Sequence, residues 1–110
     1  MSLVVHQVTL EAIATLRPLL PRIQRHDRNL ASQLRDAASS AALNIGEAEY
    51  SDPGTRRARL HTAAGSANET RSALAVSIAW GYVTAAEAEA ALALLDRVVR
   101  MLWGLLHGRR

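Results

Sequence analysis

The sequence predicts an all-α protein, an antiparallel up-down four-helix bundle formed as a single domain over residues 1–110. Three observations carry this. Hydrophobic residues make up 49% of the chain, yet Phe is absent, so the apolar content is mostly Ala, Leu and Val. Ala and Leu are strong helix formers. Apolar residues also recur at spacings of three and four in four successive stretches, which places them on one face of each helix. Finally, the segments between these stretches are short, and short connections favour antiparallel neighbours.

The first helix is read from about Val4 to Leu20, with Leu10, Ile13, Leu16 and Leu20 as its apolar face. Pro18 and Pro21 limit it, because proline lacks an amide donor and clashes with the preceding turn. Residues 21–27 then read as a connection. The second helix is expected from about Arg28 to Tyr50, capped by Asp27 or Asn29, with Leu30, Leu34, Ala37, Ala41, Ile45 and Ala48 facing inward. Ser51, Asp52, Pro53 and Gly54 stop it and start the next, Asp52 as N-cap and Pro53 at the first helical position. The third helix runs from Pro53 to about Trp80 on Leu60, Ala64, Ala67, Leu74 and Ile78. Gly81 suits the left-handed residue that ends many helices. The fourth opens on Thr84-Ala85-Ala86-Glu87, a capping-box pattern, and continues through Ala88, Leu92, Leu95, Val99, Leu102 and Leu106. The tail from His107 to Arg110 reads as frayed.

Composition excludes several functions. With no Cys there is no disulfide, no thiol nucleophile and no Cys-ligated zinc site. The start of the chain lacks the basic and apolar regions of a signal peptide. No stretch approaches the roughly 18 apolar residues of a membrane span, so a cytoplasmic location is the expectation and no membrane partner is indicated. A di-iron bundle needs Glu-x-x-His on two helices. None of Glu11, Glu47, Glu69, Glu87 and Glu89 has a His three residues on, and His6, His26, His61 and His107 are scattered. There is no nucleophile elbow and no phosphate-cradling glycine loop. No enzyme, cofactor or metal site is expected.

The middle of the chain carries a family likeness. Leu30-Ala31-Ser32-Gln33-Leu34-Arg35-Asp36-Ala37 is followed by Asn44-Ile45-Gly46-Glu47-Ala48, then Ala63-Ala64-Gly65-Ser66-Ala67-Asn68-Glu69, then Gly81-Tyr82-Val83. In this order the blocks resemble the bacterial family of four-helix proteins encoded in 23S rRNA intervening sequences, which includes relatives of the accessory variability protein of diversity-generating retroelements. The family's N-I-A-E-G stands here with its small residues exchanged. The basic residues that often follow it are replaced by Glu49-Tyr50-Ser51-Asp52. The resemblance implies a homo-oligomer, commonly a pentameric ring. For the retroelement relatives it implies binding to nucleic acid and to a reverse transcriptase.

Two polar constellations stand out. Asn44, Glu47, Ser66 and Glu69 lie beside or within the inward stripes of the second and third helices; they read as a polar network that fixes helix register. The net charge is +3, and all 13 basic residues are arginines, the residue best suited to bidentate phosphate contacts. Arg56, Arg57 and Arg59 are the densest cluster, and Arg97 and Arg100 share a face of the fourth helix. They read either as a phosphate-binding surface or as a solvated face balanced by Asp52 and Asp96. Trp80, Tyr82 and Trp103 read as packing residues at a bundle end or subunit interface. The function that follows is a homo-oligomeric adaptor for RNA or DNA; the alternative is a protein–protein scaffold without nucleic acid.

Overall fold

The computed structural model describes residues 2–108 and the side chains of 4–108. Among these residues there are five helices and no strand: α1 (Ser2–Leu16), α2 (Leu20–His26), α3 (Arg28–Ala48), α4 (Pro53–Ala79) and α5 (Ala85–His107). Of the tail, Arg109 and Arg110 lie outside the described residues.

Each boundary has a local cause. The Asp27 carboxylate accepts the Leu30 amide at 2.9 Å and opens α3. Asp52 accepts the Thr55 amide at 2.9 Å and opens α4. Thr84 and Glu87 exchange the two bonds of a capping box and open α5. Gly81, at φ +80°, closes α4. Its amide bonds the Ile78 carbonyl and that of Tyr82 bonds the Ser77 carbonyl, both at 2.9 Å. This is the Schellman pair of bonds.

The segment read as a connection, residues 21–27, is instead mostly helix, and the preceding helix stops at Leu16 rather than Leu20. Pro18 sits in the turn between the two. Pro21 falls in the first turn of α2, where its missing amide would have had no partner in any case. Ile23 anchors α2 in the core. The predicted face of α1 also needs correction: Leu10 is 47% exposed, and the buried face is Val5, Val8, Thr9, Ala12 and Leu16.

α3 packs along α4, α4 against α5, α5 against α1, and both α1 and α2 against α3. Cross-helix bonds fix the directions. Ser40 meets Ser66, and Asn44 meets Arg59; Arg71 meets Asp96, and Arg57 meets Leu106. In each pair of helices the numbers rise on one partner as they fall on the other, so α3, α4 and α5 alternate in direction. At about 1.5 Å per residue, the 27 residues of α4 run nearly the full 43 Å of the molecule.

The core divides along this axis. One cluster holds Leu16, Leu19, Ile23, Leu34, Leu74, Val83 and Leu95. The other holds Val5, Val8, Ile45, Leu60, Val98 and Leu102. Thr9, Thr70 and Ser77 are the buried polar side chains. Each hydroxyl donates to the carbonyl four residues back in its own helix. Each is thus satisfied without a partner across the core.

Candidate nucleic-acid interface

Arg56, Arg57 and Arg59 leave the first two turns of α4, where the helix dipole disfavours cations. Asp52 offsets part of this charge. Its carboxyl is held below the ordinary carboxylate range by hydrogen bonds from the Thr55 amide and hydroxyl. The three arginines diverge. Arg57 donates to the Leu106 carbonyl at 2.9 Å and so caps the last turn of α5. Arg59 turns the other way, pairing with Glu47 at 2.6 Å on α3. Arg56 is half-buried. Arg56 and Arg57 line a depression of about 210 Å³ with Pro53, Leu60, Leu105 and Leu106. A second one, of about 290 Å³, lies between Asn44, Thr55, Ala58, Arg59 and Thr62.

The polar residues of α3 and α4 form a seam rather than a buried core. The hydroxyls of Ser40 and Ser66 are 2.9 Å apart, and the Asn44 amide donates to the Ser40 carbonyl and hydroxyl. Arg59 and Glu47 continue the seam at the surface. Glu69 is exposed and stands apart from it. Ser40 is the member that sequence reasoning missed. Its signal is its place one turn before Asn44.

On α5, Arg97 is exposed, with no ion pair among the described residues. Arg100 pairs with Asp96, which also accepts Arg71 from α4 at 2.8 Å. One carboxylate therefore faces two guanidinium groups. Arg97 and Leu106 are nine positions apart, about 14 Å along the helix and half a turn round it, so the two arginine clusters do not merge. Trp103 is 62% exposed. Its ring stacks on His107 with centroids 4.5 Å apart. The sequence reads Trp103 as packing at a bundle end or a subunit interface; within the single chain it is exposed, one turn on from Arg100.

Among the described residues, no three His, Asp or Glu side chains converge as metal ligands. No described helix is long and apolar enough to cross a membrane.

Among the described residues, an all-helical chain with a polar seam between two antiparallel helices is the class that this geometry defines. The chain belongs to the 23S rRNA-intervening sequence protein family, whose sequence model matches residues 5–104. Its fold is similar to the crystal structure of a protein of unknown function from the S23 ribosomal protein family of Bacteroides thetaiotaomicron. The TM-score is 0.82 at 21% identity, covering 94% of this chain and 98% of that one. No curated protein matches the chain.

Proposed function

We propose that the protein is a non-catalytic, homo-oligomeric four-helix bundle that binds RNA or DNA as an adaptor. The observation that supports this reading is the presence of two arginine clusters on neighbouring helices. Arg56 and Arg57 stand at the start of α4, Arg97 and Arg100 along α5, with an exposed Trp103 one turn on from Arg100. Assembled as a ring, with five subunits favoured by the family resemblance, the clusters repeat around an axis. A net charge of +3 per chain then becomes a basic belt with a field that steers polyanions. A reverse transcriptase is the protein partner that the resemblance proposes.

The second reading, a scaffold that binds only protein, draws on a different observation. Arg59 and Arg100 are already paired with Glu47 and Asp96, which leaves less charge for phosphate.

Fluorescence anisotropy with a structured RNA and a single-stranded DNA, at low and near-physiological salt, separates the two. The adaptor reading expects binding that falls with salt through counterion release, by about 0.7–0.9 in log–log slope per phosphate contact. It also expects Arg56→Ala, Arg57→Ala and Arg59→Ala together to weaken binding. Absence of binding at low salt leaves the scaffold. Light scattering that finds a monomer at micromolar concentration removes the ring.

A further inference from the structure

At the opposite end of the long axis from Arg56 and Arg57, three aromatic rings, one from α2 and two from the turn after α4, stack in a row. His26 closes α2, and its ring lies 5.0 Å from that of Tyr82, with planes 2° apart. Tyr82 stacks in turn on Trp80, at 6.5 Å and 15°. The row is held from below. Tyr82 is half-buried against the first core cluster, and the Schellman turn at Gly81 fixes the backbone between the two rings. Its outer end is open, for Trp80 is 69% exposed. A large aromatic ring so exposed on a rigid turn gives up the burial that normally keeps Trp inside.

The charge around the row is uneven. Residues 21–28 contain three arginines and one aspartate. Asp27 is engaged at the α3 amide group of Leu30, and Arg22 pairs with Glu87 of α5. Arg25 and Arg28 have no ion pair or side-chain hydrogen bond among the described residues. With Pro21 and Gln24 they line an open depression of about 510 Å³ on the outside of the α2–α3 elbow. Arg28 also stands in the first turn of α3, where the helix dipole opposes a cation. Local helix stability gives no reason for an arginine at that position.

The row and the depression share one end of the molecule, joined through His26, which follows Arg25 in the chain; an exposed π-face and unpaired guanidinium groups at one end are what a single-stranded nucleic acid can span. An unstacked base covers the ring, and the flanking phosphates meet the arginines. A duplex keeps its bases stacked and has none to offer. We infer that the His26–Tyr82–Trp80 row, with Arg25 and Arg28, is a single-strand binding site that takes a nucleobase on Trp80 and backbone phosphate on the arginines. The inference rests on the reading of the protein as a nucleic-acid binder, but not on the Arg56–Arg59 surface, which lies at the other end.

The test uses the full chain with fluorescein-labelled oligothymidylate, oligouridylate and a blunt DNA duplex. In a Trp103→Phe background, Trp80 is the remaining tryptophan, and the single strands are expected to quench its fluorescence. Trp80→Ala should weaken single-strand binding roughly 5- to 150-fold, the span of one base–aromatic stack, and leave the duplex unchanged. Trp80→Phe should recover most of the loss. Arg25→Ala with Arg28→Ala should lower the log–log salt slope by about 1.4, two contacts at the single-strand value. The two oligonucleotides distinguish RNA from DNA as the preferred strand.

Unchanged single-strand affinity in Trp80→Ala, or equal loss for strand and duplex, overturns the inference. If that happens while the Arg56, Arg57, Arg59 triple variant loses binding, the inference falls and the adaptor reading stands. Loss in Trp80→Ala with the triple variant unaffected keeps the row and removes the other surface. A chain that binds none of the three probes at low salt overturns both.

Discussion

Gly81→Ala tests the turn on which both the end of α4 and the aromatic row depend. Gly81 has φ +80°, a conformation that L residues enter at a cost of about 1–2 kcal/mol. A Cβ placed there meets no other atom within 4 Å, so no clash adds to the backbone term. Replacing glycine also stiffens the unfolded chain, which returns about 0.4–1 kcal/mol. The net expectation is a loss of about 1 kcal/mol. For a domain near this size, that lowers Tm by about 4 °C. Thermal unfolding followed by circular dichroism measures it, at one fixed protein concentration, because self-association would otherwise move Tm. Gly81→Asn should fall between wild type and Ala, since Asn tolerates the left-handed region better. An Ala variant as stable as wild type would refute the reasoning, for the residue would then not be held at positive φ. The same variant also reports on the site. A turn that relaxes toward negative φ re-aims Trp80 away from Tyr82, so loss of single-strand binding should accompany the loss of stability.

Leu74→Ala removes a fully buried side chain from the first core cluster and should cost about 2–5 kcal/mol in denaturant unfolding, whereas Leu43→Ala, at a position 64% exposed, should stay within about 0.5 kcal/mol. Asp52→Ala removes the cap of α4 and should cost about 0.5–2 kcal/mol; an unchanged midpoint would mean that the Thr55 amide is served equally well by water. The Glu87 carboxyl is lowered from 4.5 to about 2, chiefly by its hydrogen bond from Arg22 and then by the Thr84 amide. Its stabilising contribution is complete above about pH 4.5 and is lost as pH falls toward 2. Glu87→Gln should therefore flatten stability across that window in an acid titration, leaving the share due to Asp52; a profile identical to wild type would break the assignment.

The parts of the fold that could be read from the chain are those encoded within a few residues. Asp27, Asp52 and Thr84 lie next to the helices they cap, and Gly81 lies next to the helix it ends. The starts of α3, α4 and α5 accordingly fall where those residues place them. α2 is hidden in the sequence because Pro21 reads as a breaker, although a proline in a first turn interrupts no hydrogen bond. The buried face of α1 escaped because Leu10 is larger than Val8 or Ala12, while the small side chains of α3 select a partner that can approach closely. The site was least legible. The arginines are plain in the sequence, but their partners are not: Arg57 reaches Leu106 across 49 residues, and Tyr82 finds His26 from a different helix pair. Such pairings depend on the register between helices, which no short window contains.

The division of the core into two clusters bears on how the protein opens. The clusters share only the margin of Leu94 among the partly buried residues packed against both. Near the middle, the buried positions of α3 and α4 are small ones such as Ala37, Ala67 and Thr70, with Val98 of α5 between the two clusters' larger side chains. Little apolar surface is sequestered at that waist, so the continuous helices α3, α4 and α5 carry most of the coupling between the halves. One half can then open locally at a lower free energy than global unfolding, with the other still closed. Native-state amide exchange should sort the protected amides into two sets. The set around Leu74 and Val83 would report the stability of the Trp80 end, and the set around Ile45 and Leu102 that of the Arg57 end. Each end would then have its own threshold for opening, and a strand bound at one would leave the exchange at the other largely unchanged.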